Sequence, residues 1–161
     1  MKLFLVPIVI LFLDQITKIS VKQYFYNTNL FYQKLNIFGD YIRIVFIENP
    51  GIAFGIDTSK YHFFITILTF LAIVFIFYHL IKLIKIDSYE KLSLSFILGG
   101  AIGNFVDRVL ILFPSMNYKG VIDFIDIGIG GFRWYTFNIA DVSISIGLII
   151  YFYQTYISKR I

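Results

Sequence analysis

The sequence predicts a mainly α-helical membrane protein with four transmembrane helices, both termini cytoplasmic, and a small extracytoplasmic β-region between the first and second helices. Three observations carry this reading. Of 161 residues, 58% are hydrophobic and only 15% charged, against about 25% charged in an ordinary soluble domain. The apolar residues come in four runs of about 20 rather than in stripes, the length that crosses a hydrocarbon core of about 30 Å. Basic residues are denser on the side with little chain, which the positive-inside rule assigns to the cytoplasm. The chain has no Cys and only two His, His62 and His79. That excludes disulfides, thiolate metal sites and cysteine nucleophiles, and leaves no multi-histidine metal site; no metal or cofactor is expected. The net charge of +4 is scattered, with no basic run beyond Lys159-Arg160, so nucleic acid is not expected as a partner.

The first run, residues 3–21, follows Lys2 but lacks a small-x-small cleavage site and continues into Asp14-Gln15-Ile16-Thr17-Lys18. It reads as a retained anchor rather than a secretory signal. The other runs are residues 61–83, 92–113 and 137–157. In lipid each must be a helix, because its backbone amides find no water. Long connections, 22–60 and 114–136, lie on the outer side, and the short one, 84–91, on the inner side. Lys2, Lys82, Lys85, Lys91, Lys159 and Arg160 crowd the inner segments, whereas Lys22, Lys34, Arg43, Lys60, Lys119 and Arg133 are diluted over the long connections. The stretch Phe38 to Phe46 alternates and is rich in β-branched and aromatic residues, which predicts strands. An outer β-cradle is therefore placed at about 23–60. Trp134-Tyr135 suits a headgroup-level anchor. No internal repeat or boundary divides residues 1–161, which read as one integral membrane domain.

Polar residues interrupt the spans: Asp14 and Lys18 in the first, Asn104, Asp107 and Arg108 in the third, Asn138 and Asp141 in the fourth. A charge at the bilayer centre costs about 2.5–3.5 kcal/mol on insertion scales, so each needs a reason. At about 1.5 Å per residue, Asp14 and Lys18 lie roughly 17 and 22 Å from the inner boundary, Asn104 and Arg108 about 18 and 24 Å, and Asp141 about 6 Å below the outer boundary. Three helices thus bring polar groups to the same outer third of the membrane. Asp14 and Lys18 are four apart with the acid first, the favourable order for a helical ion pair, and read as structural. Asn104, Asp107 and Arg108 share one helix face, and Asp107 with Arg108 reads as a packing knot, Arg108 also being in reach of Asp123 or an outer carbonyl. The run Gly99-Gly100-Ala101-Ile102-Gly103 lets a neighbouring backbone approach closely.

Asp141 has no charged or amide residue one turn away except Asn138, and an unpaired intramembrane acid is a functional site by default. Its partner acid is Asp123 or Asp126, both in Val121-Ile122-Asp123-Phe124-Ile125-Asp126, a segment expected to be half inserted. Two carboxylates held close cannot both ionise, so one keeps a proton at neutral pH. Such a pair deprotonates water with one member and polarises a carbonyl with the other, which is peptide hydrolysis without metal, serine or cysteine.

Five strings occur in order over nearly the whole chain: Asp14-Gln15-x-Thr17-Lys18, Asn49-Pro50-Gly51-Ile52-Ala53-Phe54-Gly55, Gly100-x-x-Gly103-Asn104-x-x-Asp107-Arg108, Val121-x-Asp123-Phe124 and Phe137-Asn138-x-Ala140-Asp141. With them the chain resembles the lipoprotein signal peptidases of bacteria (signal peptidase II), intramembrane aspartyl proteases. The resemblance implies that Asp123 and Asp141 are the catalytic dyad. It also implies that Asp14, Asn49, Gly51, Asn104, Arg108, Asn138 and Ala140 surround the dyad or contact substrate, with Lys18 and Asp107 in support. It implies prolipoprotein substrates bearing a diacylglyceryl-cysteine, cleavage just before that cysteine, a surface cradle after the first span, sensitivity to the cyclic peptide globomycin, and a bacterial cytoplasmic membrane location with the site near the extracytoplasmic face. A monomer among membrane lipids is expected. Residues 109–119 are longer than the family pattern. A proton- or ion-coupled carrier is the rival reading, but a relay needs polar groups across the whole membrane, and residues 3–13 and 73–80 are almost free of charge. A scaffold for other subunits would tolerate substitution at all these positions.

Overall fold

In a computed structural model of the chain, residues 4–30, 33–50, 59–83 and 89–157 are described. Among them are four α-helices, α1 (Leu5–Thr28), α2 (His62–Lys82), α3 (Tyr89–Ile111) and α4 (Ile139–Phe152), and four strands, β1 (Leu35–Phe38), β2 (Ile42–Asn49), β3 (Val121–Ile129) and β4 (Phe132–Arg133). Helices α2 and α3 are long and apolar enough to cross a membrane; α4 is a shorter apolar helix that continues into a single π-turn, Tyr153–Ile157.

Helix α1 runs about two turns beyond Val21, where the apolar run ends. Packing explains the extension, because Phe25 is fully buried and stacks on Phe46 of β2 at 6.0 Å. The helix stops at Asn29, whose left-handed φ of 55° lets Asn29 and Leu30 close the last turn onto Tyr26 and Phe25 carbonyls.

The strands form one antiparallel sheet in the order β1-β2-β3-β4. Ile42 pairs with Ile127, Arg43 with Asp126, Glu48 with Ile122 and Asn49 with Val121, with a bulge between Ile44 and Ile47. The sheet corrects the expectation of a β-region built between the first two helices alone. Half of it comes from the connection between α3 and α4, where the segment around Asp123 forms β3. Every strand needs partners for its backbone groups, and the two long connections supply them to each other.

Helix α3 is the hub. A Cβ on Gly99 would fall 2.9 Å from Ile10 of α1, one on Gly100 would collide with the Ala140 carbonyl of α4, and one on Gly147 would fall 2.6 Å from Ile97. Small residues therefore set how closely the three helices approach. Helix α2 leans on α3 through Phe70 and Phe105, 5.9 Å apart, and leaves Phe63, Phe64, Leu71 and Phe75 exposed. Trp134 and Tyr135 are exposed just after the β3–β4 turn.

Candidate active site

The polar residues that interrupt the helices converge. Asp14 and Lys18 are buried on α1, and Asp107 is buried on α3. The Lys18 ammonium lies 2.8 Å from Asp14 and 3.0 Å from Asp107, and donates to Asn104 Oδ1 at 3.0 Å. One cation thus serves two acids from different helices. Gln15 was not among the expected site residues, yet its amide donates to Asp14, to Asp107 and to the Gly103 carbonyl at 3.1–3.2 Å. Its place inside the Asp14-Gln15-x-Thr17-Lys18 string was the available signal. The second Asp14 oxygen accepts the Ala140 backbone N–H at 2.9 Å, and the Asp107 oxygen that faces Lys18 also accepts the Ile122 N–H at 3.1 Å. Ala140 therefore contributes its backbone, and its small side chain admits α3. Asp107 pairs with Lys18 rather than with Arg108, whose guanidinium donates to the Asn104 carbonyl at 3.1 Å.

Above this group sit Asp123 and Asp141. Asn138 is the N-cap of α4: its side-chain oxygen accepts the Asp141 N–H at 3.0 Å, while its own N–H donates to Asp141 Oδ2 at 3.1 Å, a reciprocal capping box. Its amide nitrogen donates to Asp123 Oδ1 at 2.7 Å. One residue therefore touches both carboxylates. Asn104 donates to Asp141 Oδ1 at 2.8 Å, and Asn49 donates to Asp123 Oδ2 at 2.9 Å. Asp141 is thus not the unpaired acid that its own helix suggested: Asn104, its partner, stands on α3, which helical spacing within α4 cannot reveal. Gly51 and residues 52–55 of its string lie outside the described residues.

Strand parity separates the two acids of β3. Side chains three apart on a strand point to opposite faces. Asp123 meets Asn138 and Asn49, whereas Asp126 meets Arg133 at 2.9 Å and Arg43 at 3.9 Å. Asp126 is held in the end of the sheet and is not part of the pair.

Burial is the main cause that pushes the Asp123 carboxyl up from 3.8 to about 7. The Asn49 hydrogen bond opposes that rise, the charge of Asp141 adds to it, and Asn138 and Lys18 oppose it. Asp141 occupies the first turn of α4, where the positive end of the helix dipole favours a negative charge. Asn138 thus links a carboxyl of raised proton affinity to a second carboxyl in one network.

A family model described as "Signal peptidase (SPase) II" matches residues 6–157. The lipoprotein signal peptidase of Janthinobacterium sp. (strain Marseille) is 38% identical over 152 residues, 91% of this chain and 82% of that relative. The lipoprotein signal peptidase of Blochmanniella pennsylvanica (strain BPEN) is 37% identical over 161 residues, 96% of this chain and 90% of that relative. A bacterial membrane enzyme solved by the in meso method at 2.3 Å resolution superposes with a TM-score of 0.69 at 30% identity, covering 95% of this chain and 86% of the other.

Proposed function

Because the chain belongs to the signal peptidase II family, we propose that Asp123 and Asp141 are the catalytic dyad with which this peptidase removes signal peptides from diacylglyceryl-modified prolipoproteins, cutting just before the lipid-modified cysteine. The observation that carries the proposal is Asn138, which hydrogen-bonds both carboxylates and so holds acids from a strand and a helix in one pocket.

The four helices cross the bacterial cytoplasmic membrane with both termini inside, and the sheet and dyad lie toward the outer face, in one membrane domain that acts as a monomer. The signal segment enters laterally between helices while its diacylglyceryl group stays in lipid. Asp141, at the helix N-terminus, takes a proton from the attacking water. Asp123 carries the shared proton and polarises the scissile carbonyl. The water-poor surroundings strengthen both effects. Asn49, Asn104 and Asn138 hold the two carboxyl groups, Asp14, Lys18 and Asp107 fix the helices beneath them, and Arg108 belongs to the substrate-facing rim. The groups gathered in one pocket favour hydrolysis over a relay across the membrane.

The test is processing of a lipid-modified prolipoprotein by the purified protein, followed by gel shift. Asp123→Asn and Asp141→Asn each lower the rate by at least about 10²-fold, the scale of lost acid–base catalysis. Full activity in either variant overturns the dyad.

A further inference from the structure

Outside the dyad's own network, α1 makes a second polar contact with the sheet. Asp14, Lys18 and Lys22 follow one another at four-residue spacing and so share one face of the helix. The Lys22 ammonium donates to the Asn117 carbonyl at 2.6 Å, lies 3.4 Å from the centre of the Tyr118 ring, and stands 3.6 Å from Glu48 Oε1. The same Glu48 oxygen accepts the Lys119 N–H at 3.2 Å. Three separate segments meet at one cation: the upper end of α1, β2 through Glu48, and the lead-in to β3 through Asn117 and Tyr118. The extra length of residues 109–119 delivers those last two residues, by way of the short 3₁₀ turn Pro114–Met116 and a left-handed Asn117 with φ 53°.

An exposed ion pair would contribute little. Lys22 and Glu48 are only 15% and 11% exposed, and the ring and the carbonyl add cation–π and charge-assisted hydrogen-bond contacts. The location matters more. Glu48 immediately precedes Asn49, which donates to Asp123, and only Gly120 separates Asn117 to Lys119 from the strand that carries Asp123. Gly120 packs against the Asn49 backbone with no room for a side chain. Lys22 therefore grips both sides of the Asn49–Asp123 hydrogen bond. We propose that Lys22 is a positioning residue for the acid pair, acting through Glu48 and the 117–119 segment to set the Asn49–Asp123 contact; this rests on Asp123 being catalytic.

The experiment measures kcat, KM and the pH profile of prolipoprotein processing for the full-length wild-type protein, Lys22→Met, Asn49→Ala and the double variant, with Asp123→Asn alongside. Displacing a reacting group by about 1 Å costs up to about 10²-fold, so Lys22→Met is expected to lower kcat about tenfold with little change in KM. The Asn49 amide favours the ionised Asp123, so loosening it raises that group's proton affinity and moves the alkaline limb to higher pH. In the Asn49→Ala background the Lys22 substitution has little further effect, because the contact it positions is already gone. Lys22→Arg, which keeps the charge, retains most of the rate. The same fold loss with and without Asn49, or an unmoved pH profile, overturns the inference while leaving the dyad intact, provided that Asp123→Asn is inactive. An active Asp123→Asn overturns both. If Lys22→Met does not fold, Glu48→Gln replaces it, and an unmoved pH profile in that variant overturns the inference.

Discussion

The four carboxylates gathered between the helices and the sheet divide into two kinds. Asp14 and Asp107 share the Lys18 ammonium and are filled out by Gln15 and backbone N–H groups. Asp123 and Asp141, only a few ångströms of network away, take their described hydrogen bonds from the amides of Asn49, Asn104 and Asn138, from side chains in every case but one backbone N–H. A carboxylate neutralised by a buried cation has its charge fixed by that partner, and removing either member strands the other in a low dielectric. A carboxylate held by neutral amides is oriented just as firmly, but its proton is free to come and go. Under the proposed dyad the same side chain serves for anchoring and for chemistry, and the choice of partner separates the two.

That contrast is broken most severely at Lys18. Lys18→Met leaves two buried acids without their cation and costs about 3–5 kcal/mol of stability, read as loss of folded protein yield and a lower unfolding temperature in detergent. A stable but inactive Lys18→Met would move Lys18 from anchor to chemistry. Next comes Asn138, the residue common to both carboxylates. Asn138→Ala removes the N-cap of α4, worth about 0.5–2 kcal/mol, and also frees Asp123. Processing should therefore fall further than that loss of stability explains, as kcat measured on the folded fraction will show.

The pH dependence sharpens the comparison. The folded-state pKa of Asp123, about 7, lies above its ordinary value of 3.8. The native protein therefore binds that proton more tightly than the unfolded chain, and the contribution to stability is present below pH 4 and lost as pH rises through about 7. Unfolding temperature should decline across that window in the wild type and decline less in Asp123→Asn, whose side chain cannot ionise. Activity should fall on the same alkaline side, as the dyad loses its shared proton. The smallest effect is expected at the other acid of β3. Asp126→Asn weakens its pairing with Arg133 and Arg43 but leaves the processing rate close to that of the wild type. A large loss of rate there would return Asp126 to the active pair.

Particular residues show what was legible from the chain alone. Asp14 and Lys18 at i and i+4, and Asn104 with Asp107 on one face of α3, were readable because helical spacing is a local property. The glycine run in α3 likewise announced a close approach, without saying that Ile10 and Ala140 would be the neighbours. Asp141 was misread as unpaired because Asn104 lies on another helix, and Gln15 was passed over because its place inside the motif was its one signal and an uncharged residue adds none of its own. Strand character around Phe38 to Phe46 was visible by alternation, but the turn at 39–41 that divides it into β1 and β2 and the pairing with β3 were not, since a register between distant segments is fixed only when both are folded.

Hydrophobic run length and the spacing of the polar residues, both set by a fixed rise per residue, made it legible from sequence that this chain is mainly apolar helices whose buried acids meet in one cluster. Tertiary structure decided the rest. Strand parity turned Asp123 inward and Asp126 away, the capping box of α4 placed Asp141 against Asn138, and the 117–119 segment met Lys22. Each of these depends on directions in space that a one-dimensional pattern does not carry, and each follows from satisfying buried polar groups once the helices have packed.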